Sequence, residues 1–407
     1  MTIRIEAMRL IPGRGDPIDS GVVVLEDTRI AYAGPAGDAP ETPNAEVVST
    51  DTVMPGLWDC HGHFMGVRGA SIDEISTIRP QVGAMRVTAD ARAVLHAGFT
   101  SVREVGGLGV FLGQAIDEGY VEGPTVYGSG GALSMTAGHG DFHAMDLDAA
   151  RHLSARYFGE DDIVDGPDQA RAGVRRMLRL GARVIKIHAS GGVMSQIDDP
   201  HLPQFSPEEL AAIVDEATRM ERVVAAHCHG KRGMMAAIEA GVKTIEHGTY
   251  MDEEVADAMK ENDVILVPTR YILDFLTREG DRRGMPEYAK KKLAATAEYH
   301  SNGIALAVDK GVKIALGTDI WSTGLWGTNG RELLLLTEVG LTPLQAIEAG
   351  TAMGPETLGP QAPKAGQLRE GWDADVITVA GNPLDDISIL SDPANVTAVF
   401  KGGRRVK

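Results

Sequence analysis

The sequence predicts an α/β protein that combines a (β/α)8 barrel, or TIM barrel, with a small β-sandwich domain built from both chain ends. Two observations predict it. Residues 54–360 contain eight short apolar strand candidates, most of them followed by a helix-like segment, and this alternation is typical of parallel sheets and barrels. Residues 1–53 and 361–407 instead contain short alternating strands separated by turns. We therefore expect these two end segments to form one composite domain beside the barrel of residues 54–360.

The eight barrel strands are predicted in chain order from short apolar runs. The runs are residues 56–64, 99–107, 125–131, 182–192, 222–230, 243–250, 264–269 and 313–319. The clearest helix among the segments between them follows Ser206, which is a suitable N-cap before Pro207 at the first helical position. Residues 276–292 follow the seventh strand and form the most charged and loop-like insertion.

Composition and charge exclude several classes of partner. The chain has 407 residues and a net charge of −18, which argues against binding to nucleic acid or to an anionic membrane surface. No window approaches the eighteen uninterrupted apolar residues of a membrane span. The segment MTIRIEAMRLIPGRGD shows no secretory signal pattern, and the two lone cysteines, Cys60 and Cys228, suggest no disulfide framework. We expect a cytoplasmic protein.

Polar residues cluster where the predicted strands end. Active sites of (β/α)8 barrels lie at the carboxyl ends of the strands, and alternate residues of a strand share one face. The residues that meet both conditions are His61, His63, Lys186, His188, His227, His229, His247 and Asp319. A single histidine at a strand end is more often a hydrogen-bonded structural residue, but this many on different strands favour a metal site. Imidazole and carboxylate ligands suit zinc, manganese, iron or cobalt.

This set and the motifs around it resemble the amidohydrolase superfamily of metal-dependent hydrolases. The motifs are MPGLWDCHGHF, GFTSVREVGG, IKIHASGGVMS, IEHGTY, GTD and GQLREGWDADVITVAGNPLDDI, and they extend along nearly the whole chain. Within the superfamily, TAGHGDF at residues 136–142 and IKIHASGGV are most similar to the branch of Xaa-Pro and Xaa-Arg/Lys dipeptidases and ochratoxin-degrading amidases.

The resemblance implies a centre of two divalent metal ions, and zinc is our first expectation. The implied ligands are His61, His63, Lys186, His227, His247 and Asp319. The first two histidines and the aspartate would bind the more buried ion, and the other two histidines the more exposed one. Lys186 would capture carbon dioxide as a carbamate, because a bridging anion suits two dications whereas an ammonium would repel them.

The resemblance also implies how the reaction proceeds. A hydroxide that bridges the two ions would attack the substrate carbonyl, with Asp319 as general base and then general acid. His139, in the loop after the third strand, would donate a hydrogen bond to the carbonyl oxygen as it becomes an oxyanion. The alternative for His139 is a purely structural role in a turn between two glycines.

Other residues are assigned by position alone. The candidate substrate contacts are His188, His229, Tyr250, Tyr271 and Trp321. His188 could equally be a hydrogen-bonded residue behind the metal ligands that does not touch the substrate, and Trp321 a packing residue. Arg270 is a further candidate for binding a substrate carboxylate, and Arg103 and Glu104 are expected to form a structural pair. Both cysteines are expected to be small buried residues and not nucleophiles.

We therefore expect a metal-dependent hydrolase that cleaves an amide bond to a C-terminal amino acid, in a dipeptide or an N-acyl amino acid. The alternative is hydrolysis of a cyclic amide, an imidazolone or a xenobiotic amide or carbamate with the same metals. A non-catalytic scaffold protein is a third possibility, but such paralogues typically lose ligands, and none is missing here. The resemblance also suggests a homo-oligomer.

Overall fold

The structure is a computed structural model, and it describes residues 2–407 as an α/β fold. The strands are β1 (Thr2–Leu10), β2 (Ile18–Glu26), β3 (Arg29–Pro35), β4 (Glu46–Pro55), β5 (Leu57–Val67), β6 (Phe99–Glu104), β7 (Thr125–Gly128), β8 (Ala132–Leu133), β9 (Ile185–His188), β10 (Val224–Cys228), β11 (Thr244–His247), β12 (Ile265–Val267), β13 (Ile320–Ser322), β14 (Val376–Val379), β15 (Val396–Lys401) and β16 (Arg404–Arg405). The α-helices are α1 (Pro80–His96), α2 (Gly109–Asp117), α3 (Leu147–Phe158), α4 (Pro167–Leu180), α5 (Pro207–Thr218), α6 (Lys231–Ala240), α7 (Glu253–Glu261), α8 (Arg270–Glu279), α9 (Glu287–Lys310), α10 (Arg331–Thr337), α11 (Pro343–Ala349) and α12 (Met353–Glu356). Short 3-10 helices cover Ala36–Asp38, Ile72–Ser76, Gly359–Gln361, Ile387–Ser391 and Pro393–Asn395.

The two chain ends share one seven-stranded sheet. Its strand order is β16-β15-β14-β4-β1-β2-β3. The join lies between β4 and β14, which run antiparallel with Val53 opposite Thr378. Buried apolar residues such as Ile5, Val23 and Phe400 form its core. The chain ends therefore come together in a single sheet, whereas the two-sheet sandwich and the boundaries of the composite domain stay predictions.

The remaining strands form two parallel sheets. Their orders are β13-β5-β6-β7 and β12-β11-β10-β9-β8, and every pairing in them is parallel. The eighth predicted strand, residues 313–319, makes only an isolated parallel bridge between Leu266 and Ile314, and the assigned strand β13 begins just after it. The α/β fold with parallel sheets is thus confirmed.

The helices between the strands follow local signals in part. Ser206 begins α5 with a capping box, because its side chain accepts from the Glu209 amide while the Glu209 side chain accepts from the Ser206 amide.

The interpretation of residues 276–292 as a loop was wrong, since only a short turn separates the end of α8 from the start of α9. Its charges lie partly on the two helices and partly in the turn between them, and Lys290 of α9 pairs with Asp281 of the turn and with Glu287. Among residues 2–407, none of the helices has both the length and the apolar character needed to cross a membrane.

Candidate metal centre and active site

The carboxyl ends of the parallel strands open into one cavity of about 170 Å³. The residues singled out in the sequence that line it are His61, His63, His139, Lys186, His188, His227, His229, His247, Asp319 and Trp321. They come from strands and loops spread over more than half of the chain. The structure therefore brings the six implied metal ligands together in one place, along with most of the candidate catalytic and substrate contacts.

His61, His63 and Asp319 form the first convergent group. The Nε2 atoms of the two histidines lie 3.3 Å apart, and Asp319 Oδ1 lies 3.4 Å from His61 Nε2 and 3.1 Å from His63 Nε2. The other nitrogen of each ring is within hydrogen-bond distance of an acceptor. His61 Nδ1 lies 2.6 Å from Glu246 Oε2, and His63 Nδ1 lies 2.7 Å from the Gly106 carbonyl. Such outer hydrogen bonds orient ligand histidines, and here they direct both Nε2 atoms into the cavity.

Glu246 is itself held by a buried arginine. Arg103 Nη2 donates to Glu246 Oε1 at 2.7 Å, and Arg103 Nε donates to the Cys60 carbonyl at 2.6 Å. Burial works to raise the pKa of Glu246, but the charge of Arg103 and the hydrogen bond from His61 hold it well below its usual range. The predicted pair of Arg103 with Glu104 was wrong, because neighbours in a strand point to opposite faces. Burial raises the pKa of the separate Glu104 carboxyl to about 7.

His227, His229 and His247 form a second convergent group. One ligand atom from each lies within 4.8 Å of the others, and His247 meets the same criterion with His61 and Asp319. The two groups therefore adjoin through His247. Burial, followed by neighbouring histidines, lowers the pKa of His247 well below its usual range, which keeps the imidazole neutral and its lone pair available. The buried nitrogen and oxygen donors fit divalent ions such as zinc.

Lys186 lies at the bottom of this arrangement, only 2% exposed. Within residues 2–407 its ammonium makes neither a hydrogen bond nor an ion pair, which is a costly state for a buried charge. Burial lowers the pKa of Lys186 to about 8, against the opposing influence of Glu246 and Asp319. The site therefore destabilises the positive charge of Lys186 relative to that of an exposed lysine, which is compatible with the proposed carbamate.

Two residues that line the cavity, and a third that is hydrogen-bonded to one of them, have left-handed backbone without being glycine. They are His247 with φ 72°, Thr269 with φ 54° and Asp319 with φ 59°. This conformation is unusual for any such residue and most costly for β-branched threonine, at about 1–3 kcal/mol. His247 and Thr269 also share a 2.7 Å hydrogen bond between Nδ1 and Oγ1. Two proposed metal ligands, and a hydrogen-bond partner of one of them, are thus held in a strained backbone conformation.

His139 lies above the second histidine group. Its ring stacks on His227 with centroids 4.3 Å apart and an interplanar angle of 19°. His139 Nδ1 lies 2.7 Å from Ser195 Oγ, in the loop after β9. This hydrogen bond leaves Nε2 as the ring nitrogen that can meet a substrate, which is compatible with the role expected from the sequence.

The five candidate substrate contacts divide into two sets. His188, His229 and Trp321 line the cavity, and His188 Nδ1 is buried with no hydrogen-bond partner in the part of the chain that the structure describes. Tyr250 and Tyr271 do not line it. Each of these two tyrosines interacts with a residue outside the cavity instead.

Their partners show why these two tyrosines lie elsewhere. The Tyr250 ring stacks on His201 with centroids 3.9 Å apart, and the Tyr271 hydroxyl lies 2.7 Å from Thr328 Oγ1. Arg270, which the sequence suggested for a substrate carboxylate, instead donates to the Leu335 carbonyl at 3.0 Å and is absent from the cavity lining. Position after a strand did not distinguish residues that face the cavity from residues that face the helices.

An apolar wall of the cavity was not predicted. Its members include Phe142, Phe158, Met194, Ile272, Leu276, Tyr288 and Leu293. They belong to loops and helices, and apolar residues there carry no sequence signal that separates a pocket wall from the core. Among the described residues, no arginine lines the cavity.

Both cysteines are fully buried, and we expect neither to react with thiol reagents in the folded protein. Burial raises the pKa of Cys60 and of Cys228 to about 12, so the reactive thiolate is scarce and also inaccessible. Titration with a chromogenic disulfide should show both thiols only after denaturation. Rapid reaction of one equivalent in the native protein would contradict this.

Comparisons with known proteins agree with this geometry. Residues 52–406 match the model of the amidohydrolase family. Ochratoxinase from Aspergillus niger is 44% identical over 418 aligned residues, which cover 99% of this chain and 86% of the relative. Its crystal structure matches with a TM-score of 0.92 and 42% identity over 100% of this chain and 95% of that one. A prolidase complexed with N-methylphosphonate-L-proline matches with a TM-score of 0.93 and 34% identity, and each chain is covered completely. The resemblance seen in the motifs is confirmed: the chain belongs to the amidohydrolase family and is a hydrolase of amide bonds.

Proposed function

We propose that this enzyme cleaves the amide bond to a C-terminal amino acid, in a dipeptide or an N-acyl amino acid, with two divalent metal ions and zinc as the first candidate. The observation that carries the proposal is that one cavity holds two histidine-rich groups together with a buried Lys186 that forms neither a hydrogen bond nor an ion pair within residues 2–407. The similarity to an ochratoxinase and to a prolidase supports an amide substrate of this kind.

We also propose that the two parallel sheets close into a (β/α)8 barrel. Backbone hydrogen bonds across the gaps between them support this. The Arg183 amide donates to the Gly128 carbonyl at 2.8 Å, and the Cys60 amide donates to the Leu316 carbonyl at 2.8 Å. The parallel bridge between Leu266 and Ile314 supplies the remaining link. Residues 54–360 would form the barrel, with residues 1–53 and 361–407 beside it.

The proposed ligands divide as the family resemblance implies, with His247 where the two groups adjoin and His229 left as a substrate contact. His61, His63 and Asp319 would hold one ion, His227 and His247 would hold the other, and Lys186 would bridge them as a carbamate. When bound, the ions would polarise the scissile carbonyl and activate a water molecule.

The chain's own residues would supply the remaining chemistry. Burial works to raise the pKa of Asp319, but His61 and His63 hold it well below its usual range, so the group is ionised, as the proposed role of accepting a proton and passing it to the leaving amine requires. His139 would donate from Nε2 to the carbonyl oxygen.

The cavity wall suggests which substrates fit. Phe142, Phe158 and Met194 would accept an apolar side chain or acyl group. Since no arginine of the described residues lines the cavity, we propose that a substrate carboxylate is bound by imidazole, with His229 and His188 as the candidates.

We expect chelation to abolish activity and a divalent metal to restore it. The protein should be stripped of metal, reloaded separately with zinc, manganese or cobalt, and tested on dipeptides and N-acyl amino acids. A second panel of cyclic amides, imidazolones and carbamates serves as the comparison. Cleavage confined to the first panel supports the proposal. Cleavage confined to the second panel would favour the alternative substrates. A metal-loaded protein that cleaves no compound of either panel would contradict the proposed activity.

A further inference from the structure

A cluster of hydrogen bonds outside the proposed ligand set joins α9 to the loop after β9. Lys292 Nζ donates to the carbonyls of Gly192 at 3.0 Å, Ser195 at 2.9 Å and Asp198 at 2.6 Å. It also lies 3.1 Å from Asp198 Oδ1. All four acceptors belong to one short loop, so a single lysine determines how residues 192–198 fold.

Asp198 is the centre of this cluster and is only 4% exposed in its side chain. Its Oδ2 accepts from the Gly192 amide at 2.9 Å and from Gln204 Nε2 at 3.4 Å. Its Oδ1 accepts from the Ser195 hydroxyl as well as from Lys292. A buried carboxylate persists only when donors surround it, and here they do. Asp198 is thus held in place from several sides.

The cluster also contacts His139. Asp198 Oδ2 lies 3.4 Å from His139 Nδ1, and Ser195 Oγ lies 2.7 Å from the same nitrogen. A carboxylate can only accept, so the Ser195 hydroxyl donates to Asp198 and must itself accept from His139 Nδ1–H. The cluster therefore keeps a proton on Nδ1.

The ring of His139 is also confined on both faces. One face stacks on His227, and the other lies against Gly192, where an added Cβ would come within 2.2 Å of the ring. Any side chain at position 192 would displace the imidazole. A ring that donates from Nε2 as well as from Nδ1 would carry a second proton and therefore a positive charge, and Asp198 Oδ2, 3.4 Å from Nδ1, lies where it would balance that charge.

We propose that Asp198 and Lys292 are positioning residues for amide hydrolysis. Lys292 holds the loop of residues 192–198, and Asp198 acts through Ser195 to hold His139 with Nδ1 protonated and Nε2 toward the scissile carbonyl. The inference rests on the proposed function, because it needs the contact between His139 and the substrate. No part of the cluster is a proposed metal ligand.

Kinetics of four variants test the proposal on an amide that the wild type cleaves. Asp198→Asn, Lys292→Met and Ser195→Ala should each lower kcat by at least about 10-fold, approaching the ~10²–10³-fold loss seen when an oxyanion donor is removed, with little change in KM or in metal content. Lys292→Arg should recover part of the loss. Lys291→Met, on an exposed neighbour in the same helix, is the matched control and should behave as wild type.

A spectroscopic readout separates this inference from the proposed function. With 15N-labelled histidine and zinc-loaded protein, a long-range 1H–15N spectrum reports which ring nitrogen carries a proton, and the His139 signals are those lost in His139→Gln. We expect a proton on Nδ1 in the wild type and altered signals in Asp198→Asn and Ser195→Ala. If the wild type cleaves no amide, the proposed function fails while the spectrum still tests the positioning. Unchanged kcat and unchanged His139 signals in these variants would overturn the inference.

Discussion

Replacing Asp319 with asparagine is expected to lower kcat by about 10²–10⁴-fold and leave the fold intact, because the amide cannot take up the proton that the proposed mechanism assigns to Asp319. The substitution preserves size, and asparagine tolerates the left-handed backbone that Asp319 adopts at φ 59°. The hydrogen bond from the backbone amide of residue 319 to the His61 carbonyl, at 2.6 Å, does not involve the side chain. Turnover, thermal melting and bound metal should be measured together.

The control for this variant is Asp309→Asn, at an exposed position near the end of α9. It changes the net charge equally and should retain the wild-type rate. If Asp319→Asn also retained that rate, the role of Asp319 as general base would be wrong. If it lost bound metal along with activity, the experiment would show that ligation contributes to the loss.

Replacing Arg103 with methionine is expected to reduce the free energy of unfolding by about 3–5 kcal/mol, the usual result of leaving a buried charge without its partner. Glu246 is fully buried, and within residues 2–407 Arg103 is the only lysine or arginine that forms an ion pair with it. The loss should be measured by denaturant titration of metal-free protein, because bound metal would add its own stabilisation.

Two further variants show whether this loss comes from the ion pair. Adding Glu246→Gln to Arg103→Met removes the unpaired charge and should recover part of the stability. Arg278→Met breaks a partly exposed pair with Asp274 and should cost less than about 1 kcal/mol. Equal losses in Arg103→Met and Arg278→Met would contradict the assignment of a buried, structurally important pair.

The clustering of polar residues at the strand ends was predictable because the sequence pattern that indicates it is local. Two-residue alternation in CHGH and HCHG gives each pair of histidines a common face, and the cavity gathers them as expected. The side chains that hydrogen-bond to the proposed ligands, or hold those partners in place, were not predictable. Arg103 selects Glu246, 143 positions away, and not the adjacent Glu104. Neither the sequence around Arg103 nor the sequence around Glu246 indicates this pairing, since it depends on which strands lie close together in the fold.

The segment after the seventh strand was misread for a related reason. Its charges, with Gly280, Gly284 and Pro286, are typical of a loop, yet the turn that they form is short and helices begin and end close to it. Tyr288 and Lys292 were therefore not recognised as residues that shape the cavity wall and its neighbouring loop. The homo-oligomer and the cytoplasmic location rest on no structural observation and stay predictions.

The sheet that joins the two chain ends has a consequence for synthesis on the ribosome. Strand β4 is complete early, but its partner β14 lies roughly 320 residues later, which at about 5–20 residues per second is a delay of roughly 15–60 s. During that interval one edge of β4 has unsatisfied backbone donors and acceptors, the condition that invites pairing with other chains. Until β14 is made, the nascent N-terminal strands are therefore a segment that we expect to pair readily with other chains.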